Sequence, residues 1–116
     1  MNYENLPVYK VTFDLLLFVY KHTVKMQREY RFTLAEEMKM ALQEMLMAIY
    51  RANVVKDKAQ HISQARQELV RVRVLFRLMR ELQQLSPKQT VTIMEQVASI
   101  SKQLTAWEKF ARREKE

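Results

Sequence analysis

The sequence predicts an all-α protein folded as an antiparallel up-down four-helix bundle. Three observations carry this prediction. The 116 residues include no glycine and only two prolines, whereas hairpin turns and phosphate-cradling loops lean on glycine. Apolar residues recur at three- and four-residue spacing in four separate stretches. Capping residues and prolines mark the boundaries between them. With 48% hydrophobic residues, residues 1–116 read as one domain with one core.

The first helix is expected over about residues 7–26. Pro7 suits a first helical position, and Val8, Val11, Leu15 and Phe18 lead an apolar face that continues to Met26. Thr33-Leu34-Ala35-Glu36 reads as a capping box for a second helix over about 34–53. Phe32 and Leu34 flank that cap, which leaves a hydrophobic staple open. Leu34, Met38, Ala41, Met45, Ala48 and Ala52 share one face of this helix. Residues 53–56 form the next connection, with Asp57 as the expected cap of a third helix over about 57–84.

The third helix contains a stretch with two readings. Val70 to Val74 alternates with period two and, taken alone, passes for a half-buried strand. Ile62, Ala65, Leu69, Val72, Phe76 and Met79, however, follow the 3-4-3-4-3 spacing of a bundle seam. A strand would interrupt that pattern with no turn residue on either side, so the stretch is helical. Ser86-Pro87-Lys88-Gln89 then supplies a cap, a first-turn proline and a reciprocal partner for a fourth helix over about 87–112. Its seam is Ile93, Val97, Ile100, Leu104, Trp107 and Ala111, and residues 112–116 form a charged tail expected to fray.

Several chemistries are excluded or unsupported. The chain has no cysteine, which removes disulfides, thiolate zinc sites and cysteine nucleophiles. Its first residues, Met1-Asn2-Tyr3-Glu4-Asn5, lack the basic start of a signal peptide. The longest apolar run, Leu15 to Tyr20, is far short of the ~20 residues of a membrane span. A soluble, cytoplasmic protein with no membrane partner is expected. His22 and His61 lie on different helices, and Asp57 with His61 gives too few ligands for a metal. Glu36 and Glu37 belong to a first helical turn, where negative charge offsets the amide dipoles. No serine sits in a glycine-flanked turn. No catalytic residue, metal or cofactor is therefore expected.

The charge is more informative. The chain carries a net +7, and between residues 66 and 80 five arginines face Glu68 alone. Arg66, Arg73 and Arg80 fall on one heptad line, with Arg77 beside it. Arg71 and Arg77 have Glu68 and Glu81 within helical reach. Helix-surface arginines are commonly solvated or paired, yet one acid within the cluster leaves several unneutralised. The planar guanidinium fork matches phosphate. Arg66, Arg71, Arg73, Arg77 and Arg80 are therefore the candidate nucleic-acid and partner-binding residues. Aromatic residues do not interleave the stripe, because Phe76 lies on the seam. Contact with the phosphate backbone, strongly salt-dependent, is expected there in place of base stacking.

Apolar residues exceed what one seam per helix requires. Val70, Val74, Leu78 and Leu85 lie outside the third seam, and Met40, Leu46, Met47 and Tyr50 crowd the second helix. The surplus is either a wide buried face or a surface for another subunit. Self-association is the preferred reading, with Val70, Val74, Leu78, Met47 and Tyr50 as interface candidates.

These residues also carry a resemblance. Leu6-Pro7-Val8-Tyr9-Lys10, Tyr30-Arg31-Phe32-Thr33-Leu34, Ala52-Asn53, Asp57-Lys58, the run Leu69-x-x-Val72-Arg73-x-Leu75-x-Arg77-Leu78-x-Arg80-x-Leu82, Leu85-Ser86 and the late Trp107 occur in a fixed order. In this the chain resembles the Avd-type accessory variability determinant proteins of diversity-generating retroelements, within the wider superfamily of proteins encoded in 23S ribosomal RNA intervening sequences. The resemblance spans residues 6 to 110. It implies a homopentameric ring of basic four-helix bundles around a pore. It also implies a non-catalytic accessory role with reverse transcriptase, RNA and cDNA as partners in mutagenic reverse transcription. The family's arginine pair maps onto Arg73 and Arg77, and its next basic position onto Arg80. Family members often have glycine after Thr-Leu and near the last tryptophan; here Ala35 and Thr105-Ala106 stand there.

Two other readings compete. An intervening-sequence type of bundle would bind ribosomal or other cellular RNA without a reverse transcriptase, and neighbouring genes separate the two. An all-helical mutase of the chorismate type needs arginines converging in the bundle core. Here the seams are apolar and the arginines lie beside one of them, so no such pocket assembles.

Overall fold

The computed structural model describes residues 2–115. A 3₁₀ turn at Tyr3–Asn5 precedes α1 (Pro7–His22), the one-turn α2 (Arg28–Arg31), α3 (Leu34–Val54), α4 (Ala59–Glu81) and α5 (Pro87–Lys115). Among the described residues there is no strand, so the all-α expectation holds, with four long helices. Each long helix packs against two others: α1 on α3, α3 on α4, α4 on α5 and α5 on α1. The bundle measures 48 × 20 × 19 Å.

The seams predicted for the second and third helices are buried throughout, and those of the first and last nearly so, with Val11, Phe18 and Trp107 half-buried. Leu15, Met38, Leu42, Met45, Ile49, Ile62, Met79, Ile100 and Leu104 have essentially no exposed surface. Each such side chain contributes about 1.5–3 kcal/mol relative to leaving it in water. Leu46 and Leu85, assigned to the surplus from sequence, join the core fully or in part.

The helix ends depart from expectation where side chains compete for backbone groups. The predicted first helix stops at His22, four residues early. The Thr23 amide makes the last α-helical bond, to the Val19 carbonyl at 3.1 Å, and its hydroxyl bonds the same oxygen at 2.6 Å. Met26 still reaches the core, through a turn closed by its amide on the Thr23 carbonyl at 3.1 Å. The Thr33 capping box does not form. Because α2 ends just before it, a free carbonyl is at hand, and the Thr33 hydroxyl donates to Glu29 O at 2.6 Å. Glu36 pairs with Lys39 instead, at 2.7 Å. Phe32 makes no staple either: the position it would pack against is Glu37, and Phe32 is 60% exposed.

The third predicted helix begins two residues late, with Lys58 and not Asp57 at its cap. The Lys58 ammonium donates to the carbonyls of Ala52, Asn53 and Val55 at 2.8, 3.3 and 2.9 Å. One cation thus satisfies the open end of α3. At the far end, α4 stops at Glu81 and not at residue 84. Gln84 N bonds Met79 O at 2.8 Å and Gln83 N bonds Arg80 O at 3.0 Å. This is a Schellman closure with Gln83 left-handed at φ 58°. A side chain there is disfavoured, and Gln83→Gly is expected to raise stability by roughly 0.5–1 kcal/mol in urea denaturation.

The Ser86 capping box forms as predicted. Gln89 N donates to Ser86 Oγ at 3.1 Å, and Ser86 N donates to Gln89 Oε1 at 3.0 Å. The helix it starts continues to Lys115, beyond the expected end near residue 112; Glu116 of the predicted tail lies outside the described residues. Two contacts tie this end of the bundle together: Gln27 N donates to Gln84 Oε1 at 2.9 Å, and Gln89 Nε2 donates to His22 O at 3.4 Å. Elsewhere, Tyr3 stands edge-on to Tyr9 and Tyr50, with ring centroids 5.2 and 4.8 Å apart. Burial, then the nearby Tyr3 and Glu4, hold the Tyr9 phenol above its ordinary pKa, so it packs as a neutral ring.

Candidate nucleic-acid interface

The seam of α4 fixes where its arginines go. With Leu69, Val72, Phe76 and Met79 buried, a 3.6-residue repeat places Arg73, Arg77 and Arg80 together on the side next to α5. There they line an open groove of about 400 Å³, with Phe76 and Glu81 from α4 and Met94, Val97 and Ala98 from α5. The Arg80 guanidinium carbon lies 5.4 Å from the Phe76 ring centroid, a cation–π contact that holds its side chain against the helix. Among the described residues, Arg73, Arg77 and Arg80 belong to no ion pair. Three arginines against Glu81 leave the groove with two surplus positive charges. Low-dielectric walls on both sides focus that potential outward, towards an anion.

The other two sequence candidates are engaged within the bundle. Arg66 donates from Nη1 to Oε1 of Glu108 on α5. Glu108 is 8% exposed and also meets Arg112 at 3.5 Å. Arg71 reaches Glu37 on α3 at 3.5 Å and Glu68 at 3.9 Å. The Glu68 pairing was within the helical reach read from sequence; the pairs to Glu37 and Glu108 cross between helices. Glu108 had a signal that could have been read: it continues the seam spacing from Leu104 towards Ala111, so a charge there must be buried and needs a partner. Arg66→Ala leaves this carboxylate to Arg112 alone and is expected to cost about 1–3 kcal/mol in urea denaturation. Arg77→Ala, with no partner to strand, should stay within about 0.5 kcal/mol.

A family model described as bAvd-like matches residues 8–111. The chain belongs to the bAvd-like family. No curated relative matches it. In this bAvd-like chain an apolar stripe runs beside the arginine groove, on the outward face of α4. Val70, Val74 and Leu78 are all exposed, and Met47 and Tyr50 are exposed on α3. Tyr50 is in part engaged by Tyr3.

Among the described residues, no three His, Cys, Asp or Glu side chains gather as a metal site, and His61 Nδ1 lies 3.4 Å from Gln64 Oε1. No described helix is long and apolar enough to cross a membrane. One basic cluster escaped sequence reasoning because its members do not share a heptad line. On and beside α2, Arg28 and Arg31 place their guanidinium carbons 5.9 and 5.0 Å from the Phe32 ring centroid.

Proposed function

We propose that this protein is a non-enzymatic, basic accessory protein of a diversity-generating retroelement. It binds reverse transcriptase and RNA or cDNA in the cytoplasm and supports mutagenic reverse transcription. The observation that carries this reading is the groove between α4 and α5, where Arg73, Arg77 and Arg80 have no ion-pair partner among the described residues, on a bAvd-like chain. Guanidinium groups along such a groove hold phosphates in register and release counterions without reading sequence. Catalysis is left to the partner enzyme.

In this reading the long helices run antiparallel, up and down, and copies of the bundle assemble into a homopentameric ring. Val70, Val74 and Leu78 on α4, with Met47 and Tyr50 on α3, supply apolar surface for neighbouring subunits. Arg66 and Arg71 keep their ion pairs with Glu108 and Glu37, and both side chains stay partly exposed on the same helix as the groove arginines.

Light scattering together with an RNA-binding titration tests the proposal. The expected result is an assembly about five times the mass of the 14.0 kDa chain that binds single-stranded RNA at low salt. A monomer that binds no nucleic acid at low salt would end it.

A further inference from the structure

We propose that Phe32, flanked by Arg28 and Arg31, is a stacking platform for the unpaired bases of a single-stranded nucleic acid. The inference rests on the nucleic-acid reading above and adds a second, chemically different contact to it.

Among the described residues, Phe32 belongs neither to the hydrophobic core nor to the side chains packed against it. It is 60% exposed, and the helix position that would complete a staple is Glu37. What surrounds the ring is cationic. The Arg28 and Arg31 guanidinium carbons lie 5.9 and 5.0 Å from its centroid. Arg31 is itself fixed, with Nη1 donating to Val24 O at 2.9 Å. Lys25 is exposed on the same connection, and Val24 beside it is 57% exposed. An exposed aromatic ring with two guanidinium groups within about 6 Å of its centroid offers both aromatic surface and neutralising charge, the combination that single strands use for stacking. A duplex keeps its base faces covered by stacking, so the occupant is single-stranded.

The platform is also placed to act with the groove. Gln27, between Lys25 and Arg28, donates its amide to Gln84, which follows Arg80 at the end of α4. The connection holding Phe32 and the basic end of α4 therefore meet at one end of the bundle. A strand whose phosphates lie along Arg73, Arg77 and Arg80 leaves the groove at the end of the bundle that the Phe32 connection shares, and its next bases stack there.

The test uses fluorescence anisotropy on the full chain with three probes: a labelled single-stranded oligoadenylate, an abasic strand of equal length, and an RNA duplex. Phe32→Ala is expected to weaken oligoadenylate binding about tenfold, the loss of one stacked base. Binding to the abasic strand and the duplex stays unchanged, and Phe32→Trp retains the parent affinity. The groove variant Arg73→Gln/Arg77→Gln weakens binding to all three probes. If Phe32→Ala matches the parent on oligoadenylate while the groove variant weakens, the platform is wrong and the nucleic-acid reading survives. Equal losses by Phe32→Ala on the oligoadenylate and abasic strands overturn stacking in favour of a structural role. A parent protein that binds none of the probes at low salt overturns both.

Discussion

Val72→Asp is expected to unfold the bundle, whereas Val70→Asp, two residues earlier, should leave it folded. Val72 is 0% exposed, on the inner face of α4 among the core residues. Removing it forfeits about 1.5–3 kcal/mol of burial, and an unpaired carboxylate left in its place adds several kcal/mol more. The sum is comparable to the roughly 5–15 kcal/mol that holds a whole domain together. Val70 is 57% exposed, so its replacement should change the stability of the protomer by no more than about 0.5 kcal/mol. The contrast is diagnostic of the helix. In a strand, residues 70, 72 and 74 would share a face and respond alike, whereas a helix turns Val70 and Val72 about 200° apart. Circular dichroism during urea denaturation reads the difference. Light scattering on Val70→Asp/Val74→Asp adds a second result: protomers that fold but no longer assemble.

The second large effect is on binding. Arg73→Glu/Arg77→Glu should lower affinity for single-stranded RNA on the order of a hundredfold at low salt, with helical circular dichroism unchanged. Both side chains are exposed and have no ion-pair partner among the described residues, so reversing them strands no buried acid. Two positive charges on the groove become two negative ones, and its field changes sign. Arg66→Glu provides the contrast. It sets a second carboxylate against the buried Glu108 and should show itself first as lost stability.

The core was legible in the sequence because burial follows helical periodicity, which the chain states four times without interruption. The Ser86 box was legible because cap, proline and reciprocal glutamine lie within four residues and nothing nearby competes for them. Thr33 had the same local pattern and failed, because the carbonyl of Glu29 took its hydroxyl. That competitor comes from α2, a single turn too short to leave a periodic signal. The Schellman closure was hidden by its residue type: with no glycine in the chain, a glutamine occupies the left-handed position.

The arginine stripe was visible as a cluster, but its division into two groups was not. Which arginines remain unpaired depends on acids contributed by α3 and α5, Glu37 and Glu108, more than thirty residues away in sequence. Helical reach along α4 reveals only Glu68 and Glu81. The Phe32 cluster escaped for a related reason, since a ring and two cations within five residues mean little until the backbone turns them together.

The salt dependence of RNA binding tests the central claim most directly. For a groove that works by phosphate contact, log affinity for a single strand falls linearly with log salt, and Arg73→Gln/Arg77→Gln makes that slope shallower by about 1.4, roughly 0.7 for each contact removed. If the variant keeps the parent slope and affinity, phosphates do not bind in the α4–α5 groove and the account is wrong.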